Sequence, residues 1–316
     1  MMDWTDRHCR WFHRRLTQHT LLYSEMVVAD AIIHGPKDRL LGFDAVEHPV
    51  ALQIGGSDPV KLAEAARIGE GFGYDEININ IGCPSDRVQS GRFGACLMQE
   101  PDLVAKCYEA MADAVSVPVT VKCRLGVDDQ DIETTLPYFI KTVTAAGCTH
   151  FIVHARKAWL KGLSPKENRD VPPLDYDLVR RMKAKFPALE IVLNGGLDTL
   201  EQAQTEAAGL DGVMYGRAAY HNPWMLRDID QRFYGESPAT LSRLDIVDDL
   251  IAYAQAHEAD NPSLKALCRH IMGLFAGQRG ARLWRRTISE TMATGARPSV
   301  VIAQAADAMR NIDVAA

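Results

Sequence analysis

Six polar side chains, Glu25, Gln53, Asn80, Lys122, His154 and Asn194, stand at or near the ends of short apolar runs, and Gly216-Arg217 follows a seventh. One polar residue closes such a run by chance. Six in succession mark a shared site. Cys83 lies close by in Asn80-Ile81-Gly82-Cys83-Pro84-Ser85, where Gly82 and Pro84 favour a rigid turn that presents the thiol. A thiol with its ordinary pKa of about 8.5 keeps its proton at neutral pH and can donate it as a general acid. An inert loop thiol is the alternative. Asn194-Gly195-Gly196 and Gly216-Arg217 suit a phosphate: glycines let backbone N–H groups approach, a helix N-terminus adds its dipole, and Arg217 adds charge. A pair of tight turns is the plainer explanation, but their place after the last two runs favours a phosphate-bearing cofactor. Lys122 and His154 end neighbouring runs, where a cation would stabilise negative charge on the pyrimidine edge of a reduced flavin. Against that stands a lysine that merely reaches solvent beside a satisfied histidine.

Strands must position these groups. The β-branched runs predict them at Leu21–Glu25, Val50–Ile54, Glu76–Asn80, Pro118–Lys122, Phe151–His154, Ile191–Asn194 and Gly212–Tyr215. Their largely apolar character suits a parallel sheet buried on both faces. Amphipathic helices lie between them, as at Pro59–Gly69 and Pro101–Ala114, each opening on proline. This alternation points to an α/β fold of the TIM (β/α)8 barrel type, whose sites lie at the C-terminal strand ends. One strand of the eight is missing, because a helix expected over Asp3–Gln18 follows Met1-Met2 directly. Phe233–Pro238 reads as a linker. The chain beyond it predicts only helices, at Leu244–Ala259, Ser263–Phe275, Ala281–Ala293 and Ser299–Ile312. The expected domains are therefore a barrel over 1–235 and a helical bundle over 240–316.

Composition narrows the class. Of 316 residues, 47% are hydrophobic and 24% charged, the balance of a globular protein with an ample core. The longest stretch without Asp, Glu, Lys or Arg, Thr142–Ala155, is interrupted by Gly147 and His150 and falls short of the ~20 residues of a membrane span. Seven cysteines without CxxC spacing read as reduced thiols, so neither a disulfide frame nor a metal site is expected, and the cytoplasm is. All but Cys83 read as packing. A net charge of −6 argues against nucleic acid, but between Lys265 and Ser289 six basic residues occur with no acid. Such clustering makes a footprint for a polyanion.

Taken together, Asn-Ile-Gly-Cys-Pro-Ser (80–85), His-Ala-Arg (154–156), Asn-Gly-Gly (194–196) and Tyr-Gly-Arg (215–217) resemble the tRNA-dihydrouridine synthases. The strings at 3–10, 155–160 and 162–169 resemble the A-type branch, and the likeness runs from Asp3 into the C-terminal bundle. The resemblance implies an FMN-bound barrel and a helical tRNA-binding domain. It also implies NADPH-dependent reduction of a uridine C5=C6 bond in the tRNA D-loop, usually at positions 20 and 20a. It assigns FMN to Gln53, Lys122, His154, Asn194, Gly195, Gly196, Gly216 and Arg217, with Met1 and Met2 at backbone contacts, and proton donation to Cys83. It assigns tRNA to Asn80, Lys166, Arg169, Arg282 and Arg285. No membrane or metal partner is implied, and a monomer is expected.

One departure stands out. In the family a strand ending in Ala-Pro-Met precedes the Asp-Trp-Thr-Asp string, whereas here Met1-Met2 does. The expectation is a mis-started or truncated chain that holds FMN poorly when made from Met1. Two other functions compete: an FMN-dependent reductase of a free pyrimidine, which would not need the basic bundle, and a tRNA-binding protein or chaperone with an inactive barrel.

Overall fold

The computed structural model describes residues 1–85, 88, 90–259, 261 and 264–314. They divide into two compact units, one of Met1, Tyr23–Phe43 and His48–Gly216, the other of Met2–Leu22, Asp44–Glu47 and Arg217–Ala316.

The first unit is a TIM-barrel-like curled sheet of seven strands in sequential order: β1 (Leu22–Val28), β2 (Val50–Gly55), β3 (Glu76–Ile81), β4 (Val119–Arg124), β5 (His150–His154), β6 (Glu190–Asn194) and β7 (Gly212–Met214). From β2 onward each strand pairs with the next in parallel. β1 runs on to Val28, so Glu25 lies inside the strand, not at its end. β4 likewise runs on to Arg124, two residues past Lys122, because Cys123 still packs in the core and Arg124 is held by backbone carbonyls. In β3 all six side chains are buried. Ile77, Ile79 and Ile81 alternate with Glu76, Asn78 and Asn80, so one face is apolar and the other polar. The apolar face packs outward: a Cβ on Gly69 of the helix Pro59–Gly71 would fall 2.9 Å from Ile77 and 2.6 Å from Leu52.

The intervening helices start where capping side chains sit. Asp58 accepts from the N–H of Val60 and Lys61, Asp131 from Glu133, Asp175 from Leu178, and Thr199 from Gln202.

The second unit is helical: Arg7–Arg14, Arg217–His221, Ile229–Tyr234, Arg243–His257, Lys265–His270, Ala281–Ala293 and Pro298–Val314. The N-terminal helix is shorter than its sequence pattern suggests, because Asp6 caps it by accepting from Cys9 N–H. Ser242 and Asp245 form a reciprocal capping box at the next long helix. The expected helix over 263–275 is interrupted after His270 by a turn of 3-10 helix, Ile271–Gly273; its first residue, Ser263, lies outside the described residues.

This division differs from the one drawn at the linker. The segment 2–22 and residues 217–234 group with the helices, and the reason is burial. Arg10 pairs with Glu47 at 2.7 Å, Arg14 donates to the carbonyls of Thr17, Thr20 and Glu47, and Trp11 stacks on Tyr253 at 4.0 Å. His8 Nδ1 lies 2.9 Å from the Tyr253 hydroxyl. Among the described residues no helix is long and apolar enough to cross a membrane.

Candidate active site

Parallel register puts like heights side by side: Gln53 beside Asn78, Asn78 beside Thr120, Asn80 beside Lys122, and Arg124, His154 and Asn194 in one row. The lower row is joined by hydrogen bonds. Tyr23 Oη and Thr120 Oγ1 both donate to Glu76 Oε1 at 2.6 Å, Asn78 Nδ2 donates to Thr120 Oγ1 at 2.8 Å, and Gln53 Nε2 donates to Asn78 Oδ1 at 2.9 Å. Asn80 Nδ2 donates to Gln53 Oε1 at 2.7 Å. By count, Gln53 keeps one N–H and one lone pair for a further partner.

Asn80 is buried, and its Oδ1 accepts from the backbone N–H of Gly82 (3.0 Å) and Cys83 (2.9 Å). Its amide therefore fixes the turn that carries the thiol. From the other side Arg124 Nε donates to Gly82 O, while its Nη1 donates to Asn168 O. Ala95 N–H closes onto Cys83 O, and a Cβ at Gly94 would fall 2.6 Å from that same oxygen. Cys83 itself is half-buried, with Sγ 3.5 Å from Ser85 Oγ. The other thiols, apart from half-buried Cys96, are buried. Burial pushes Cys107, Cys123 and Cys148 up to about 12, as packing residues should be.

The upper row carries the charge. Lys122 Nζ donates to Asn194 Oδ1 at 2.9 Å, and Asn194 Nδ2 donates to Met214 O at 2.8 Å. Among the described residues no carboxylate lies within ion-pair distance of Lys122. Desolvation, with Arg124 adding to it, lowers the lysine to about 8. Burial and the nearby cations Arg124, Lys122, Arg156 and Arg169 hold His154 well below its usual range, so its ring is neutral at pH 7. Desolvation also brings Arg124 down to about 10. Two inward-facing cations beside a neutral histidine, with no carboxylate paired to Lys122 among the described residues, form a pocket of positive potential suited to an anion.

Gly195 has φ +110°, and a Cβ there would fall 2.3 Å from His154 Cδ2. A Cβ at Gly196 would meet Leu174 Cδ1 at 2.5 Å. Tyr176 Oη donates to Gly195 O at 2.7 Å, which pins the turn. At Gly216 the approach is open, with Met1 Sδ 3.9 Å from where a Cβ would stand. Met2 and Arg217 belong to the helical unit, where Arg217 opens a helix.

Of the residues assigned to tRNA, Lys166 and Arg169 are exposed on the loop after β5. That loop is knotted around fully buried Asn168, whose Nδ2 donates to Trp159 O and Leu163 O and whose Oδ1 accepts from Trp159 N–H. In the helical unit Arg282 and Arg285 are exposed and line, with Arg286, a groove of about 930 Å³ at the start of the helix Ala281–Ala293. Asn80 alone of the five is turned inward.

Sequence reasoning passed over Glu76, Asn78, Thr120, Arg124 and Asn168. The first two were visible as the polar half of Glu-Ile-Asn-Ile-Asn-Ile, an alternation that a purely apolar strand lacks. Arg124 and Asn168 act through backbone carbonyls brought close only by folding, and no local pattern marks them.

The lysine site yields a pH dependence. Because Lys122 is lowered from 10.5 to about 8 on folding, it disfavours the fold while charged, and stability from this group rises with pH between about 8 and 10.5. Binding of an anion runs the other way, since the cation disappears above about pH 8. Affinity for a phosphate-bearing ligand at this site, measured by titration calorimetry, is expected to fall across that range in the wild type. In Lys122→Met it should be weaker by about 10-fold or more and flat with pH.

A family model described as dihydrouridine synthase matches residues 1–312. The tRNA-dihydrouridine(20/20a) synthase of Shewanella oneidensis is 55% identical over 92% of this chain and 86% of its own length. That of Xanthomonas campestris is 56% identical over the same shares, and that of Synechocystis 52% over 95% and 90%. Among solved structures, morphinone reductase superposes with a TM-score of 0.52 over 76% of this chain and 84% of that one, at 12% identity, a likeness of fold.

Proposed function

The chain belongs to the dihydrouridine synthase family, and from that premise we propose that it reduces the C5=C6 bond of uridine in the D-loop of tRNA, at positions 20 and 20a as in the names of its relatives. FMN is the proposed cofactor, NADPH the reductant and the cytoplasm the compartment. The observation that carries this is the pairing, at one end of one barrel, of a cation site with no carboxylate partner among the described residues (Lys122, Asn194, neutral His154) and a thiol on a rigid turn (Cys83).

The residues fit the cofactor. Lys122 would face the edge of the isoalloxazine that becomes anionic, Gln53 would offer its remaining amide positions, and the glycine turns at 195–196 and 216 would admit the phosphate. Bound there, FMN would supply hydride for C6 of the uracil. Cys83 then protonates C5 from Sγ, and the turn held by Asn80 and Arg124 keeps the thiol from drifting off that carbon. The uracil must leave its stack to reach the site, at a cost of a few kcal/mol. The exposed arginines of the helical unit are the proposed source of phosphate contacts that offset it.

Incubation of the flavin-loaded protein with NADPH and an unmodified tRNA transcript tests this. The expected product gains two hydrogens in the D-loop fragment by mass spectrometry. A fully flavinated protein that reduces free uracil and leaves tRNA untouched would favour the free-pyrimidine reductase instead. The surface assignment is tested separately. Arg282→Ala and Arg285→Ala should each weaken tRNA binding across all tRNA sequences and lower the slope of log affinity against log salt by about 1.

A further inference from the structure

The hydrogen bonds that join Glu76 to the Cys83 turn can run in only one direction. At the Cys83 end, the N–H groups of Gly82 and Cys83 are pure donors, so Asn80 must turn its oxygen toward them. Its nitrogen then faces Gln53, which must accept with Oε1 and so donate with Nε2 to Asn78 Oδ1. Asn78 in turn donates to Thr120 Oγ1, whose one proton is left for Glu76. At the far end the order is the same: Glu76 Oε1 accepts both the Thr120 proton and that of Tyr23, whose phenol is held in its neutral form by burial beside Glu76. Asn78 and Thr120 are fully buried, so water cannot replace a lost member.

We propose that Glu76, Thr120 and Asn78 are positioning residues: they set the amide orientation of Gln53 and Asn80, and through Asn80 the placement of the Cys83 thiol. This inference rests on the reading of Cys83 as proton donor. Reversing any one amide would set N–H against N–H somewhere along the chain, or at the Cys83 turn itself. The three residues lie on β3 and β4 below the strand ends, and their hydrogen bonds reach the Cys83 turn by way of Gln53 and Asn80, so they act through these neighbours.

Thr120→Val tests this, because valine keeps the shape of threonine and removes only the hydroxyl that both accepts from Asn78 and donates to Glu76. Thr120→Ser restores that hydroxyl. Two quantities are read on the flavin-loaded proteins: the rate of Cys83 alkylation by iodoacetamide against pH, resolved by peptide mass spectrometry, and dihydrouridine formation. Thr120→Val is expected to change the Cys83 alkylation profile and slow turnover by roughly 10- to 100-fold with little change in KM for tRNA. Thr120→Ser is expected to return both toward wild type. Wild-type alkylation and turnover in Thr120→Val would overturn the proposal, as would a fall in thermal stability with Cys83 reactivity unmoved. Cys83→Ala is measured alongside. Full activity there would sink the proton-donor role, while the alkylation profile of Thr120→Val still reports on the hydrogen-bond chain by itself.

Discussion

Cys83→Ala is expected to slow dihydrouridine formation by about 10²- to 10⁴-fold, the range that general acids contribute, while flavin content and its reduction by NADPH stay at wild-type values. The expectation follows from where the thiol sits. Its turn is held by Asn80 from one strand and Arg124 from the next, and closed beneath by Ala95. None of these contacts uses Sγ, whose one neighbour at hydrogen-bond distance among the described residues is Ser85 Oγ at 3.5 Å. Removing the sulfur therefore leaves the turn standing and takes away the proton alone. Cys83→Ser is expected to rescue little, because an aliphatic hydroxyl is a far weaker acid than a thiol. Separate measurement of flavin reduction and of product formation checks the claim, since only the second should respond.

Gly195→Ala should be among the most damaging small substitutions in the barrel. Two costs combine there: φ +110° is a backbone conformation that L side chains rarely adopt, and the new Cβ would fall 2.3 Å from His154 Cδ2 and 2.7 Å from Nε2. His154 cannot yield easily, being buried at the end of β5, while Tyr176 anchors the carbonyl of the same glycine. Strain and overpacking together predict a loss of about 2–5 kcal/mol and, with His154 displaced, loss of bound flavin. Gly209→Ala is the matched control. It shares a positive φ (+78°) but has nothing within 4 Å of its Cβ, so it should cost about 1 kcal/mol and keep its flavin. Melting temperature and the flavin-to-protein absorbance ratio read both variants.

Much of the barrel was legible in the residues because its signals are local. Seven β-branched runs became seven strands, and Lys122, His154 and Asn194 stand on the adjoining strands β4, β5 and β6, with Gln53 on β2. Glu25 was misplaced because Met26-Val27-Val28 extends β1 beyond it. The grouping of the N-terminal segment with the helical unit was not legible. It depends on Arg10 and Arg14 reaching Glu47, and on His8 and Trp11 meeting Tyr253 over two hundred residues away, contacts that no periodicity announces. Asn80 shows the same limit at the site. Its place at a strand end marked it for the site, but nothing local announced the burial and three hydrogen bonds that tie it to Gln53 and to the Cys83 turn.

The most direct measurement is an anaerobic single turnover: the flavin is reduced with NADPH, excess reductant is removed, and an unmodified tRNA transcript is added while flavin absorbance is followed. The account predicts that the oxidised flavin bands return as tRNA is added, with one dihydrouridine formed in the D-loop for each flavin reoxidised. Reduced flavin that persists in the presence of tRNA, in a protein fully loaded with cofactor, would contradict it.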